Sequence, residues 1–404
     1  MTTLTDPPKG AFRLSMLLYD TRYRSATMQV IALVLLVAAF WYLGSNLAAN
    51  LREQGLNISY EFLRNPAGYD INQTLIPYTS QSSNLQAAWV GILNTLLVAF
   101  LACITATVFG VLAGVLRLSK NWLVRKLMSV YVEIFRNIPV LIWILIIYTI
   151  MTVSMPAPNA FRGETPTSTM FMDAVAFTNR GVYIPAPVWG PGSMAVVAAF
   201  ILSIVGVFAY RRYATKLLFE TGRLLPMLWP SVAIFFVPTI LVYFIMGSPI
   251  GLDYPALKGF NFQGGIQIGA PLIALWFALS IYTGAFIAEN VRAGIQAVSR
   301  GQSEAAAALG LRPGRVMSLV VLPQALRVII PPLISQYLNI TKNSSLAILV
   351  GYADITATLG GITLNQTGRA IECVLLLMLF YLIISLTISL VMNIYNNATK
   401  LKER

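Results

Sequence analysis

The sequence predicts an all-α integral membrane protein with about eight transmembrane helices. Two observations carry that reading. Apolar residues make up 57% of the 404-residue chain and charged residues only 11%, with a mean hydropathy of +0.71. A soluble chain carries roughly twice that charged fraction. The apolar residues also fall in runs long enough to cross a hydrocarbon core, which takes about 20 helical residues. Histidine is absent, which removes the commonest general base and metal ligand. The two cysteines, Cys103 and Cys373, lie inside apolar runs and read as small packing residues rather than a disulfide framework.

The first run, Met28 to Leu47, follows a basic tail with Lys9, Arg13, Arg22 and Arg24. It reads as an uncleaved helix, since the apolar region of a signal peptide is shorter. A polar stretch to Gln86 leads to the second span, Ala87 to Leu116. There Ala102, Ala106, Gly110 and Gly114 repeat every four residues, a small-residue stripe that lets helix backbones approach closely in lipid. The third span, Met128 to Val153, contains Pro139, which should bend it. On its first turns Glu133 and Arg136 stand three apart and are placed to pair.

Met155 to Gly192 is proline-rich and reads as an extended external loop or small cap. Ser193 to Tyr210 and Leu225 to Met246 are two further spans, and a Gly- and Pro-containing loop then runs to Gly269. Ala270 to Ala288 is the sixth span, Val328 to Val350 the seventh and Cys373 to Tyr395 the last.

Between the sixth and seventh spans lies a polar, basic stretch, Ser299 to Pro323. Ser299 can cap a helix there, with Gln302 closing a capping box. Ala305 to Ala308 favour a helix with little side-chain bulk. Gly310 suits its left-handed end and Pro313 can open the next helix. The expected product is a short, smooth helix held at one membrane face.

Twenty of the 28 lysines and arginines fall on the side that holds this stretch and both termini, six fall on the other, and Arg136 and Lys342 sit within spans. Positive charge collects in the cytoplasm, so that side, termini included, is expected to be cytoplasmic. The net charge of +13 therefore reads as topology, not as a nucleic-acid surface.

The spacing Glu304-Ala305-Ala306, three residues, Gly310, nine residues, then Val320-x-Leu322-Pro323 resembles the E-A-A loop of permease subunits of bacterial ABC importers. In that family the loop is a coupling helix that docks into the ATPase. Asn94-Thr95-Leu96, Phe135 to Leu141 (F-R-N-I-P-V-L), Ala288 to Gly294 (A-E-N-V-R-A-G) and Thr341 to Leu346 (T-K-N-S-S-L) look like the polar amino-acid branch. Asn343 stands where that branch usually has an acid. The enlarged plan is most like the permeases of broad-specificity L-amino-acid importers.

The resemblance implies a type I importer permease core of five helices, plus one N-terminal and two inserted helices. Residues 1–86 would hold the tail, first helix and a periplasmic loop. Residues 87–153 and 270–404 would form the core, with the coupling loop at 299–323, and 154–269 the insertion, peripheral to the pore. It implies ATPase coupling through Gly301, Gln302, Ser303, Glu304, Ala305, Ala306, Leu309, Gly310 and Pro323. The implied partners are ABC ATPase subunits, a second permease chain, a periplasmic amino-acid-binding protein, the amino-acid substrate and membrane lipid, in the bacterial inner membrane.

The sequence lacks any Gly-Lys pair, hence the phosphate-binding lysine of a P-loop. The chain is thus expected to be no enzyme, with ATP and Mg held by the partner ATPase. For the substrate path the candidates are Lys342, Asn343, Ser344 and Ser345, membrane-level polar residues. Lys342 would face a substrate carboxylate, snorkel to the outer interface, or pair with Asp354. An ion-gradient-driven secondary transporter or a non-transporting scaffold is the alternative, and either leaves the E-A-A loop unexplained.

Overall fold

The computed structural model describes residues 18, 21–53, 55, 57–163 and 165–399. The tail residues Lys9, Arg13, Lys400, Lys402 and Arg404 lie outside the described residues. The chain divides into two units, Met1–Glu61 and Phe62–Arg404. The first carries α1 (Thr21–Glu53), an apolar helix exposed along its length.

In the second unit the core is built on α2 (Asn84–Leu116). Ser83 caps it, its side chain accepting from the Gln86 N–H at 3.2 Å. The chain next forms α3 (Trp122–Asn137), capped by Asn121, whose Oδ1 accepts from the Leu123 and Val124 N–H groups at 2.9 and 3.3 Å. Ile138 then turns extended, as a residue before proline is pushed to do. After Pro139, α4 (Val140–Thr149) sets off and ends in a π turn, Ile150–Ser154. The two halves meet at 103°. The single third span expected from the sequence is therefore two helices, because proline supplies neither the N–H nor the room to continue the first. Phe135 and Trp143 stack across the break with ring centroids 4.1 Å apart.

The insertion leaves through a cap and returns through it. Strands β1 (Ala176–Thr178) and β2 (Gly181–Ile184) precede β3 (Ala186–Trp189), which leads into α5 (Ser193–Thr221). After α6 (Leu228–Ile245) come β4 (Ile250–Asp253), β5 (Ala256–Lys258), β6 (Asn261–Gln263) and β7 (Ile266–Gly269). All pairings are antiparallel: β1-β2-β7, β3-β4 and β5-β6. The sequence reading expected an extended external loop or small cap before α5 and a Gly- and Pro-containing loop after α6; a small cap forms from the two together. The strands form because the two arms of the inserted helix pair return side by side, so β3 and β4 find each other across it, and β7 finds β2. Tyr183 and Phe262 fill the cap's small core, 5.1 Å apart. The helices α5 and α6 pack on each other, and their outer faces are apolar and exposed, with Phe208 and Phe244 bare.

Strand β7 runs straight into α7 (Ala270–Gln296), which lies parallel to α2 and is its main partner. The small stripe works as expected. Ala102, Ala106, Gly110 and Gly114 are all buried. A Cβ on Gly114 would lie 2.7 Å from the Ala288 carbonyl oxygen and 2.8 Å from Val291 Cβ. Helices this close need small residues, because lipid offers no hydrophobic drive to hold them together. Polar groups add to the packing: Trp276 Nε1 donates to Thr105 Oγ1 across this seam at 3.1 Å, and from α3 Tyr131 Oη donates to the Ile281 carbonyl of α7 at 2.7 Å.

Beyond α7 come the short helix α8 (Arg300–Ala308) and α9 (Pro313–Val316). A π turn, Met317–Val321, joins α9 to α10 (Leu322–Asn343), and a 3-10 stretch, Ser344–Val350, completes that span. A turn and a π-helical segment, Thr356–Thr363, lead to the last helix, α11 (Ala370–Thr399). Seven helices among the described residues are long and apolar enough to cross a membrane, eight spans if the bent pair is one.

Candidate functional site

Two sites at opposite ends of α2 and α7 follow from this packing. The first is the loop after α7. Ser299 takes the N-cap position of α8, but its side chain makes no cap bond; the Gln302 N–H donates to the Ser299 carbonyl at 3.1 Å. The capping box is not formed. Gln302 Oε1 instead accepts from Gln324 Nε2 at 3.4 Å, a bridge to α10 that draws its side chain away from the helix start.

The far end follows the sequence closely. Gly310 has φ +79°, the Leu311 N–H reaches the Ala306 carbonyl at 3.3 Å, and the Gly310 N–H reaches that of Ala307 at 2.9 Å. These are the two bonds of a Schellman cap. Pro313 opens α9. Ala306 is the buried anchor, set against Val316 and Val321. Gly301, Gln302, Glu304, Ala305, Leu309 and Gly310 are exposed, and Ser303 and Pro323 half-buried. Leu309 is 83% exposed. The result is a helix with one anchored side, a smooth alanine surface and an uncovered leucine at its end.

Behind this loop Glu289 of α7 gathers three arginines. Arg117, just past α2, pairs with it directly; Arg292 reaches it at 2.5 Å and Arg136 of α3 at 4.0 Å. Glu289 and Arg292 stand three apart on one helix face, and they pair. Arg136 does not pair with Glu133 as its spacing suggested. It turns to Glu289 and lies over the Phe286 ring, 5.2 Å from the centroid. The bend at Pro139 brings α3 against α7, a contact no local spacing reveals.

The second site is the turn between α10 and α11. Asn94 Nδ2 donates to the carbonyls of Ala353 and Gln73, both at 2.9 Å. Tyr352 Oη donates to the Asn94 carbonyl at 3.1 Å, and the Ile355 N–H donates to Thr95 Oγ1 at 3.1 Å. Asn94 and Thr95 are fully buried, so each bond is shielded from water and costly to leave unmade. The Asn94-Thr95 pair thus latches the turn to α2.

Asp354 sits inside the turn, fully buried. Its Oδ1 accepts from the Ala357 N–H at 2.8 Å, while Oδ2 finds no donor among the described residues. It does not pair with Lys342, which is exposed and makes no ion pair among the described residues. Nor do the other path candidates converge on a cavity. Ser344 Oγ and Ser345 Oγ donate to the carbonyls of Thr341 and Lys342, each at 2.7 Å, and Asn343 is half-buried.

Burial pushes the Asp354 carboxyl up to about 6, opposed in part by the Ala357 N–H. A carboxyl whose folded pKa is raised holds its proton more tightly when folded, so stability falls as pH rises from about 4 through about 6. Asp354→Asn keeps the acceptor and removes the charge. It should melt higher than the wild type at pH 8, by roughly 2–3 kcal/mol in stability, and no higher at pH 4. Thermal unfolding in detergent at the two pH values measures this; an equal effect at both would show that ionisation is not involved.

Residues 195–400 match the family of binding-protein-dependent transport system inner membrane components. That match takes in α7, the loop with α8, and both later spans. This chain belongs to that family. It is a multi-pass inner membrane protein with the type I permease fold, a transport component rather than a catalytic one. Over the full length of both chains it is 52% identical to the glutamate/glutamine/aspartate/asparagine transport system permease protein BztB of Rhodobacter capsulatus. It is 45% identical to the general L-amino acid transport system permease protein AapQ of Rhizobium johnstonii, over 98% of this chain and 96% of that one. It is 44% identical to the putative amino-acid ABC transporter permease protein YhdX of Escherichia coli, over 94% and 95%. The likeness to these relatives therefore includes the cap and the inserted helices, not the core alone.

Proposed function

We propose that this chain is the permease subunit of an ATP-driven importer that moves amino acids from periplasm to cytoplasm. The observation that carries the reading is its end-to-end similarity to relatives named as amino-acid permeases. A periplasmic binding protein delivers the substrate to the capped end, and a second permease chain completes the pore. ATP and Mg are held by separate ATPase subunits, with α8 docked between them and the spans. Both termini are cytoplasmic, on the side of the loop. The exposed alanine surface of α8 and the uncovered Leu309 suit a helix that seats in a partner's groove. The α5–α6 pair, apolar on its outer faces, contacts lipid or a partner.

The test is co-purification with the ATPase from mild detergent, followed by hydrolysis stimulated by the loaded binding protein. Gly310→Asp adds a charge at the docking surface and forces a side chain into the left-handed conformation, at about 1 kcal/mol or more. It should reduce both co-purification and stimulated hydrolysis severalfold. Normal values in both would remove α8 from the coupling role.

A further inference from the structure

The capped end holds a cavity of about 760 Å³ whose walls come from three separate parts of the chain. One is the segment before α2, with Asp70 and Gln73. The second is the cap, with Arg180, Asn261 and Gln267. The third is the turn after α10, from Gly351 to Ala353, with Asn365 further on.

These walls are fixed to one another. Asn94 ties Gln73 to Ala353 by their carbonyls, and Tyr69 Oη bonds Thr363 Oγ1 at 3.2 Å. The Arg180 turn is also held. Its N–H donates to Thr178 Oγ1 at 3.2 Å, and its carbonyl accepts from the Ala270 N–H at 3.3 Å, where α7 begins. Its guanidinium reaches only the Phe260 carbonyl, at 3.4 Å, and makes no ion pair among the described residues. Asp70, on a different wall, makes none either.

We infer that this cavity is the first stop of the free amino acid on the permease, with Arg180 taking its carboxylate and Asp70 its ammonium. The inference rests on the importer reading above. The chemistry fits a zwitterion: one charge of each sign on separate walls, and side-chain amides but no other charged residue in the lining. A planar guanidinium matches a carboxylate with two parallel N–H donors. The volume lies within the usual range for small-molecule sites. The cap of the inserted segment is then part of the substrate's route, while the helices α5 and α6 remain outside it.

The experiment uses the whole complex in proteoliposomes, with binding protein at saturation and radiolabelled L-glutamine as the probe. The readout is amino acid imported per ATP hydrolysed, because apparent substrate affinity there belongs to the binding protein. R180Q and D70N should each lower that ratio about tenfold, the scale of one lost charge-assisted hydrogen bond. R180K, which keeps the charge, should retain most of it. An unchanged ratio in R180Q and D70N overturns the inference. So does a parallel fall of import and stimulated hydrolysis, which would make this face a dock for the binding protein. A wild-type complex that imports no amino acid would instead count against the importer reading itself.

Discussion

Gly110→Leu is expected to yield almost no folded permease. A Cβ at Gly110 already meets Ile287 Cβ at 2.5 Å and the Gly284 carbonyl oxygen at 2.9 Å. The second of these is backbone, so neither helix can yield without separating. Overpacking a tight core costs about 1–3 kcal/mol where side chains can shift. Here the obstacle is the seam between α2 and α7, on which the core is assembled, and the cost should exceed that range. Gly110→Ala should show a partial version of the same defect. Fluorescence-detected size-exclusion chromatography of detergent extracts measures both. A monodisperse wild-type peak from Gly110→Leu would mean that the helices do not meet as closely as described.

The second large effect is expected at Glu289. Its loss strands Arg117, whose side chain is only 12% exposed, and removes the tie among α2, α3 and α7 just ahead of the loop that carries α8. Breaking a largely buried pair by removing one partner costs about 3 kcal/mol, because the other charge stays behind uncompensated. Glu289→Ala should therefore melt well below the wild type. Replacing both Glu289 and Arg117 by methionine should recover much of the loss, since the most buried of the three arginines then goes with its partner, while Arg292 keeps its bond to Gln296 Oε1 and the Arg136 side chain is 40% exposed to water. If Glu289→Ala melts with the wild type, the cluster is a surface feature without structural weight.

The parts of this protein that read correctly from sequence are those written in local spacing. Four-residue repetition put Ala102, Ala106, Gly110 and Gly114 on one helix face, and the structure buries that face. Gly310 marked the end of one helix because glycine takes the left-handed conformation without a Cβ penalty, and Pro313 the start of the next because its ring fixes φ near the helical value. The E-A-A spacing led to the family now matched over residues 195–400.

What was not legible depended on contacts between distant segments. Arg136 had a nearer acid in its own helix, yet the 103° break carried it to Glu289. Ser299 and Gln302 had the letters of a capping box, but Gln324 competed for the glutamine. The cap's strands are three or four residues long, too short to show a period. They pair only because the inserted helices bring their flanks together. Arg180 and Asp70 stand far apart in the chain, and only the fold brings them to one cavity. Asn94-Thr95 was visible as a motif, but nothing near it in sequence pointed to a turn some 260 residues away.

The measurement that tests the account most directly is uptake of radiolabelled L-amino acids into proteoliposomes holding this chain, its partner permease and the ATPase. The account predicts accumulation only with ATP inside and loaded binding protein outside, undiminished when ionophores collapse the proton and sodium gradients. Accumulation that needs no ATP and disappears with those gradients would contradict it.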